Sequence, residues 1–385
     1  MHRVLIDPWL LPWERPLAPF QLPFPMWDAM AVECELEARP SACPSHPDPW
    51  RVRLSLRDLL LCAGLAQSPA VSPRDLRAWG FLIEHWRSFR ALPGWLRIAD
   101  EAAEWDARMR GLFAERCSMG LATWLLWRDF GVVHVADAGP FLSDVLLDPS
   151  SPYHGRHLEL LGKHGELRPD FFCLTSSMEV VVAEVKGAVG APSAIPASEK
   201  VKAKQQVRNV DPVGLPIRAT EGRLVFATNL RLASDVTRGP GTDSGVYIED
   251  PDDHESGAIR VPLNADRVVV HAYSKVLQFL GLGIVGYLLR RGDRPLLPAE
   301  PPSETVEGEP LLVLAEASGL RLGLLATVAK AVLHGPENGT AERVGRALAE
   351  SRMVRMAAER QGQELLLLPN GFFALSGERA LRRSG

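Results

Sequence analysis

One segment of the chain, RPDFFCLTSSMEVVVAEVKGA at residues 168–188, constrains the fold more than any other. Two apolar runs flank the polar residues Thr175 to Ser177, which is the pattern of a β-hairpin. A turn centred on Ser177 places Asp170 directly opposite Glu184, with the two Cβ atoms about 5 Å apart across the strand pair. The sequence therefore predicts that carboxylates from two different strands face each other.

The second strand of this hairpin is apolar on both faces, which is typical of a central, buried strand. Strand alternation places Lys186 on the same face as Glu184. Two acids and a lysine at one end of a buried strand cost free energy unless something compensates their charge. A structural ion pair is one solution. A bound divalent cation is the other, because carboxylate oxygens are ligands that Mg²⁺ and Mn²⁺ prefer.

The elements around the hairpin follow an α/β pattern from about residue 105 to residue 290. Their order is helix, strand, strand, strand, helix, strand. The predicted helices are Asp106–Asp129 and Ser198–Val210, and the predicted strands are Val132–Val135, Phe171–Leu174, Val180–Lys186 and Leu224–Thr228. This order predicts a mixed sheet that carries the hairpin between two helices.

The dipeptide Pro169-Asp170, followed by Glu184-Val185-Lys186 on the next strand, resembles the signature of the PD-(D/E)XK nuclease superfamily. The resemblance extends from the helix before the hairpin to the strand after it, and the αβββαβ core of that family matches the order of elements above. It implies a restriction-endonuclease-like α/β fold for this part of the chain.

The same resemblance implies metal-dependent hydrolysis of phosphodiester bonds. Asp170 and Glu184 would hold Mg²⁺ or Mn²⁺, with the carbonyl group of Val185 as a further ligand. Lys186 would position and polarise the attacking water. Glu115 interrupts an otherwise apolar stripe on the first core helix, and it would assist the cation directly or through water.

The helix after the motif strand carries the residues expected to bind the substrate, DNA or RNA. Lys200, Lys204 and Arg208 recur at positions i, i+4 and i+8, and such a stripe can follow a phosphate backbone. A solvated helix surface explains the same spacing. The resemblance adds Gln205 or Gln206, one of which would contact the substrate backbone or a metal-bound water.

The flanking regions differ from this central part in composition. All ten tryptophans lie between Trp9 and Trp127, which predicts a separately packed accessory domain over residues 1–104. Four prolines mark residues 291–308 as a linker. Residues 309–385 carry helical patterns at Leu320–Leu333 and Thr340–Glu350 and a hairpin around Asn370-Gly371. These elements predict a small α+β domain that resembles a winged helix.

The composition excludes a disordered or fibrous chain, because 46% of the 385 residues are apolar and 23% are charged. Five cysteines without a CxxC pair argue against a disulfide framework and fit a reducing, cytoplasmic compartment. The longest apolar stretch, residues 276–289, is shorter than the ~20 residues of a membrane span. The net charge of −4 means that any binding of a polyanion depends on a local patch.

Two classes of function remain open from the sequence. A nuclease of this composition would by analogy serve bacterial phage defence, mobile-element control or DNA repair. A non-catalytic nucleic-acid-binding or assembly protein that keeps the nuclease fold is the alternative, with the terminal domains binding a protein partner. The negative net charge favours the second class, and the intact set of Asp170, Glu184 and Lys186 favours the first.

Overall fold

The computed structural model describes residues 32–41, 43–67, 88–90, 94–149, 151, 154, 168–190, 195–235, 243–251, 258–293, 303–306, 308–317, 320–333, 339–351 and 365–376. Within these ranges, no helix is long and apolar enough to cross a membrane. All five cysteines of the chain are buried, and none is in a disulfide.

The described residues form a mixed α/β structure. Its helices are α1 (Leu56–Gln67), α2 (Ala107–Arg128), α3 (Ala138–Leu147), α4 (Ala197–Arg208), α5 (Ala265–Phe279), α6 (Gly283–Arg290), α7 (Ala326–Leu333) and α8 (Thr340–Glu350). Its strands up to the end of the central region are β1 (Glu33–Ser41), β2 (Trp50–Ser55), β3 (Phe89–Arg90), β4 (Gly94–Trp95), β5 (Arg97–Ile98), β6 (Val132–Asp137), β7 (Phe171–Thr175), β8 (Val180–Val189), β9 (Val210–Val213), β10 (Arg223–Leu230), β11 (Gly245–Glu249) and β12 (Ile259–Pro262). The remaining strands are β13 (Ser303–Val306), β14 (Glu309–Ala317), β15 (Leu320–Leu325), β16 (Leu365–Leu367) and β17 (Phe372–Ser376).

A mixed sheet with the strand order β2-β1-β11-β10-β8-β7-β6 forms the centre of the molecule, and β4 pairs with β1 at its side. Strands β6, β7 and β8 are antiparallel, whereas β10 lies parallel to β8. The predicted order of helix, strand, strand, strand, helix, strand is present as α2, β6, β7, β8, α4 and β10, with α3 and β9 inserted. Helix α2 begins at Asp106, whose carboxylate accepts a hydrogen bond from the Met109 amide, 2.8 Å away.

The β7–β8 hairpin has the register that the turn at Ser177 predicts. Phe171 lies opposite Ala183, and Leu174 lies opposite Val180. Met178 takes up the left-handed conformation, with φ of 61°, and the Thr175 hydroxyl group accepts a hydrogen bond from the Glu179 amide. Both strands are buried along their paired lengths, so a slip of one residue would turn the whole apolar set to the wrong face.

Strands β1 and β2 extend the central sheet, which differs from the expectation of a separately packed unit over residues 1–104. Strand β1 pairs in parallel with β11, and β2 pairs with the other side of β1. Helix α1 packs on α2 so closely that a Cβ atom on Gly120 would lie 2.6 Å from the backbone nitrogen of Ala63. The burial of β1 alternates along the strand, with Cys34, Leu36 and Ala38 inside.

The C-terminal region forms a second, five-stranded sheet of order β13-β14-β15-β17-β16. The predicted hairpin at Asn370-Gly371 is present between β16 and β17. The expectation of one helix over Leu320–Leu333 is wrong in its first half, which is strand β15, because alternating leucines pair there between β14 and β17. Strand β13 lies within residues 291–308, the predicted linker.

The two sheets are joined by α5. The Tyr273 hydroxyl group donates a hydrogen bond to the carbonyl oxygen of Asn370, 2.7 Å away. The Asp266 carboxylate accepts hydrogen bonds from the amides of Gly339 and Ala341, at 2.8 and 2.7 Å. Asp266 therefore satisfies free amides at the beginning of α8, a capping role that a residue of α8 itself would ordinarily perform.

Candidate functional site

Asp170 lies immediately before β7, and its backbone is fixed on both sides. Its amide donates to the carbonyl oxygen of Ala183 (3.1 Å), and its carbonyl oxygen accepts from the amide of Ala138 (2.9 Å). The carboxylate oxygen Oδ2 accepts a hydrogen bond from the Val185 amide, 2.9 Å away. The continued hairpin register therefore places the Asp170 side chain beside the middle of β8, where Glu184 lies.

Glu184 is almost fully buried, with 1% of its side chain exposed. Its Oε1 atom accepts a hydrogen bond from Lys186 Nζ at 2.5 Å. Its Oε2 atom is buried and accepts no hydrogen bond from the described residues while both carboxyl groups are charged. With one of the two protonated, Glu184 and Asp170 share a hydrogen bond. A buried carboxylate oxygen without a donor costs free energy, so either a shared proton or a bound cation satisfies this position.

The electrostatics of the pair follow from burial and mutual repulsion. Burial raises the pKa of the Glu184 carboxyl well above its usual value, and the charge of Asp170 raises it further. Burial also raises the pKa of Asp170, against the Val185 amide and the Lys186 ammonium, which favour its charged form. Burial lowers the pKa of Lys186, but the Glu184 and Asp170 carboxylates outweigh burial and raise it. One ammonium group thus faces two carboxyl groups, and burial and mutual repulsion favour a proton on one of them.

The residues at this position fit a divalent cation by their donor chemistry. The buried Glu184 and the half-buried Asp170 supply hard oxygen ligands, and the Oε2 atom of Glu184 accepts no hydrogen bond from a fixed donor among the described residues. Among the residues that the structure describes, no three His, Cys, Asp or Glu side chains come together closely enough to hold a metal ion. Two carboxylates nevertheless suit Mg²⁺, which commonly keeps several waters and takes further oxygen ligands from a substrate phosphate.

Glu115 lies near this pair but does not join it. Its side chain is exposed on α2, and its charge contributes to raising the pKa of Asp170. The helix can approach because Gly187 follows Lys186 on β8. A Cβ atom at Gly187 would overlap the carbonyl oxygen of Ala114 and the hydroxyl group of Ser118. Because Leu112 is also 40% exposed, the stripe that Glu115 was expected to interrupt is partly a solvent-facing surface.

Helix α4 brings a further acid that sequence reasoning did not assign to the site. Glu199, in the first turn of α4, contributes to raising the pKa of Lys186. No motif points to Glu199. The available signal was the position of an acid at the start of the helix that follows the motif strand.

The predicted basic stripe on α4 faces neighbouring side chains in this structure. Lys204 forms an ion pair with Glu249, and Lys200 Nζ lies 4.4 Å from the centroid of the Tyr247 ring. Tyr247 and Glu249 belong to β11, two strands away from β8. Arg208 is half-buried near the end of the helix. Lys200 and Lys204 therefore hold α4 against the sheet.

The two adjacent glutamines differ in environment. Gln205 is exposed, whereas Gln206 is buried and donates a hydrogen bond from Nε2 to the carbonyl oxygen of Arg168, 2.8 Å away. The structure thus brings Asp170, Glu184 and Lys186 together. It places Glu115 within electrostatic range and directs Gln206 toward the backbone before Asp170.

Comparisons with family models, with curated proteins and with solved structures find no match to this chain. The resemblance to the PD-(D/E)XK superfamily therefore depends on the residues of the hairpin and on the order of the elements around it.

Proposed function

We propose that the protein is a metal-dependent nuclease whose active site is formed by Asp170, Glu184 and Lys186. The observation that carries the proposal is the convergence of two carboxyl groups, Glu184 and Asp170, beside the single ammonium group of Lys186. Glu184 Oε2 is buried there with no donor among the described residues other than a proton shared with Asp170. A purely structural ion pair gains nothing from a second carboxyl group beside the first. A cation-binding site requires such a group.

Asp170 and Glu184 would hold Mg²⁺ or Mn²⁺, with the carbonyl group of Val185 as a further ligand. When bound, the cation lowers the pKa of a coordinated water and stabilises negative charge on the phosphate. Lys186 is 24% exposed and can reach the solvent side of the site. Its ammonium group would orient the attacking water and oppose the charge that develops at phosphorus. The exposed Glu115 carboxylate would assist through a water.

The order of elements supports a restriction-endonuclease-like core. Helix α2, strands β6, β7 and β8, helix α4 and strand β10 correspond in sequence order to the αβββαβ core of the PD-(D/E)XK superfamily. Both helices pack on β8, the strand that carries Glu184 and Lys186. Glu184 and Lys186 lie in the middle of β8, opposite Val225 and Ala227 of the parallel strand β10.

The proposed substrate is a nucleic acid, and DNA is the first choice. Lys200, Lys204 and Arg208 would contact its phosphates, and Gln205 is exposed beside them. To contact a phosphate, Lys204 would have to leave its ion pair with Glu249. The negative charge of Glu249 on β11 therefore opposes non-specific binding of nucleic acid. A cytoplasmic role in phage defence, mobile-element control or DNA repair is consistent with five unpaired cysteines.

A nuclease assay tests this function directly. Purified protein is incubated with plasmid, single-stranded DNA and RNA in the presence of Mg²⁺, Mn²⁺ or EDTA. We expect cleavage that requires the metal and that is lost in Lys186→Met, a variant that keeps the aliphatic stem. Circular dichroism verifies that the variant is folded. Absence of cleavage of all three substrates with either metal would contradict the proposal.

A non-catalytic binding or assembly protein is the second candidate. The specific observation in its favour is that Lys186 and Lys204 already have carboxylate partners, so the structure is partly neutralised without a ligand. This candidate predicts that nucleic acid or a protein partner binds without any metal requirement. It also predicts that Glu184 and Lys186 affect stability alone.

A further inference from the structure

Gln206 occupies a position on α4 where an apolar residue would be expected. Its neighbours Ala203 and Val207 on the same helix are fully buried, and Gln206 itself is 6% exposed. Its Oε1 atom is buried and has no hydrogen-bond donor among the described residues. A buried amide with an unpaired oxygen costs free energy that an aliphatic side chain would avoid. The hydrogen bond that Gln206 donates from its Nε2 atom must therefore explain why a glutamine occupies this position.

That bond reaches the chain just before Asp170. Gln206 Nε2 donates to the carbonyl oxygen of Arg168 at 2.8 Å, two residues ahead of the carboxylate. Pro169, between them, is buried and restricts the backbone. The amide of Asp170 is bonded to β8, and its carbonyl oxygen is bonded to the first residue of α3. Gln206 supplies a third attachment, from α4, to the same short segment.

We propose that Gln206 is a positioning residue, which holds the Arg168 carbonyl group and thereby fixes Asp170 for cation binding. This inference rests on the proposed function. It differs from the role expected from the sequence, in which one of the two glutamines touches the substrate or a metal-bound water. Groups that orient metal ligands without touching the metal commonly change its affinity by about 10- to 100-fold when they are removed.

The experiment compares Gln206→Met with Val201→Met in the full-length protein. Methionine keeps the length of the glutamine side chain and removes its amide. Val201 is the control because it lies on the same helix, is 53% exposed and has no place in the proposed site. Mn²⁺ affinity is measured by calorimetry, and the Mn²⁺ concentration for half-maximal plasmid cleavage is measured in parallel. Hydrogen exchange over residues 168–175 reports the order of the segment.

We expect Gln206→Met to weaken Mn²⁺ binding by about 10-fold or more with unchanged stoichiometry. Cleavage should return at saturating Mn²⁺, and residues 168–175 should exchange faster. Val201→Met should match the wild-type protein in Mn²⁺ affinity, cleavage and hydrogen exchange. If Gln206→Met does not fold, Gln206→Asn, which keeps a buried but shorter amide, should show the same shift.

Wild-type Mn²⁺ affinity in a folded Gln206 variant would overturn the inference. A reduced stoichiometry without a change in affinity would also overturn it, because this pattern indicates only a fraction of unfolded protein. If the wild-type protein neither binds Mn²⁺ nor cleaves nucleic acid, that result would contradict the proposed function. The inference about Gln206, which rests on that function, would then be wrong as well.

Discussion

Two buried charged groups of this protein differ in how their carboxylates are satisfied. Asp144 on α3 accepts hydrogen bonds from Arg290 at 2.9 and 3.0 Å, and His271 Nε2 lies 3.2 Å from its Oδ2 atom. Burial raises the pKa of Asp144, but the hydrogen bonds and charges of His271 and Arg290 outweigh burial and bring it down to about 2. Glu184 has one ammonium partner, one unpaired oxygen and a raised pKa.

This difference separates a structural ion pair from a candidate site. At Asp144 the protein supplies a full set of donors, so the charged form is stabilised by the fold. At Asp170 and Glu184 the fold disfavours the charged forms, and the cost remains in the absence of a ligand. Buried groups whose pKa values are shifted in the unfavourable direction are typical of functional sites.

The largest expected difference between substitutions in the two groups is in the rate of cleavage. Asp170→Asn keeps the shape of the side chain and removes a charged ligand, which should lower the rate of metal-dependent cleavage on the order of 10³-fold. Asp144→Asn, the matched carboxylate of the structural group, should cleave at nearly the wild-type rate below its melting temperature. Equal rates for Asp170→Asn and the wild type would show that Asp170 is not a ligand.

The second effect is on the free energy of unfolding. Here the larger change is expected at Asp144 and not at Asp170. Asp144→Ala removes the carboxylate that Arg290 and His271 contact and should lower the free energy of unfolding by about 3 kcal/mol. Denaturation with urea in the presence of EDTA measures this value, and the surface variant Glu342→Ala is the control. A loss below about 0.5 kcal/mol would mean that the Asp144 group contributes no more than a surface ion pair.

A third effect appears when the pH is lowered. Because the pKa of Asp144 is about 2 in the folded protein and 3.8 for the unperturbed group, its contribution is complete above 3.8 and is lost as the pH falls toward 2. Between pH 5 and pH 3 this loss is at most about 1 kcal/mol, since water screens part of the interaction. The wild type should therefore lose more stability over this interval than Asp144→Asn, as measured by urea denaturation at each pH.

The smallest effect has the opposite sign. Glu184→Gln removes a charge that the fold disfavours, so in EDTA it should raise the free energy of unfolding by about 0.5 to 1 kcal/mol. Thermal denaturation compares it with Glu179→Gln, an acid at the turn of the same hairpin. A destabilised Glu184→Gln would indicate that the Glu184–Lys186 pair is structural, as the alternative interpretation holds.

The hairpin could be predicted from the sequence because its determinants are local. The turn residues, the apolar alternation and the position of Asp170 opposite Glu184 all lie within 21 residues, 168–188. The observed pairing of Phe171 with Ala183 has that register. The helices and strands of the central region were also predictable, since each is marked by its own periodicity.

Pairings between distant segments could not be predicted in the same way. Nothing in β1 indicates that its partner is β11, which lies about 200 residues further along the chain. The lysine spacing on α4 predicts a face but not the Glu249 and Tyr247 side chains opposite it. The same limit applies to Gln206, because its partner is a backbone carbonyl group that carries no sequence signal.

Calorimetric titration with Mn²⁺ tests the central claim most directly, because it asks whether the two carboxyl groups bind a cation. We expect saturable binding to the wild-type protein, the same binding to Asp144→Asn and none to Asp170→Asn. Absence of binding to the wild type, or equal binding to wild type and Asp170→Asn, would contradict a metal site at the end of this hairpin.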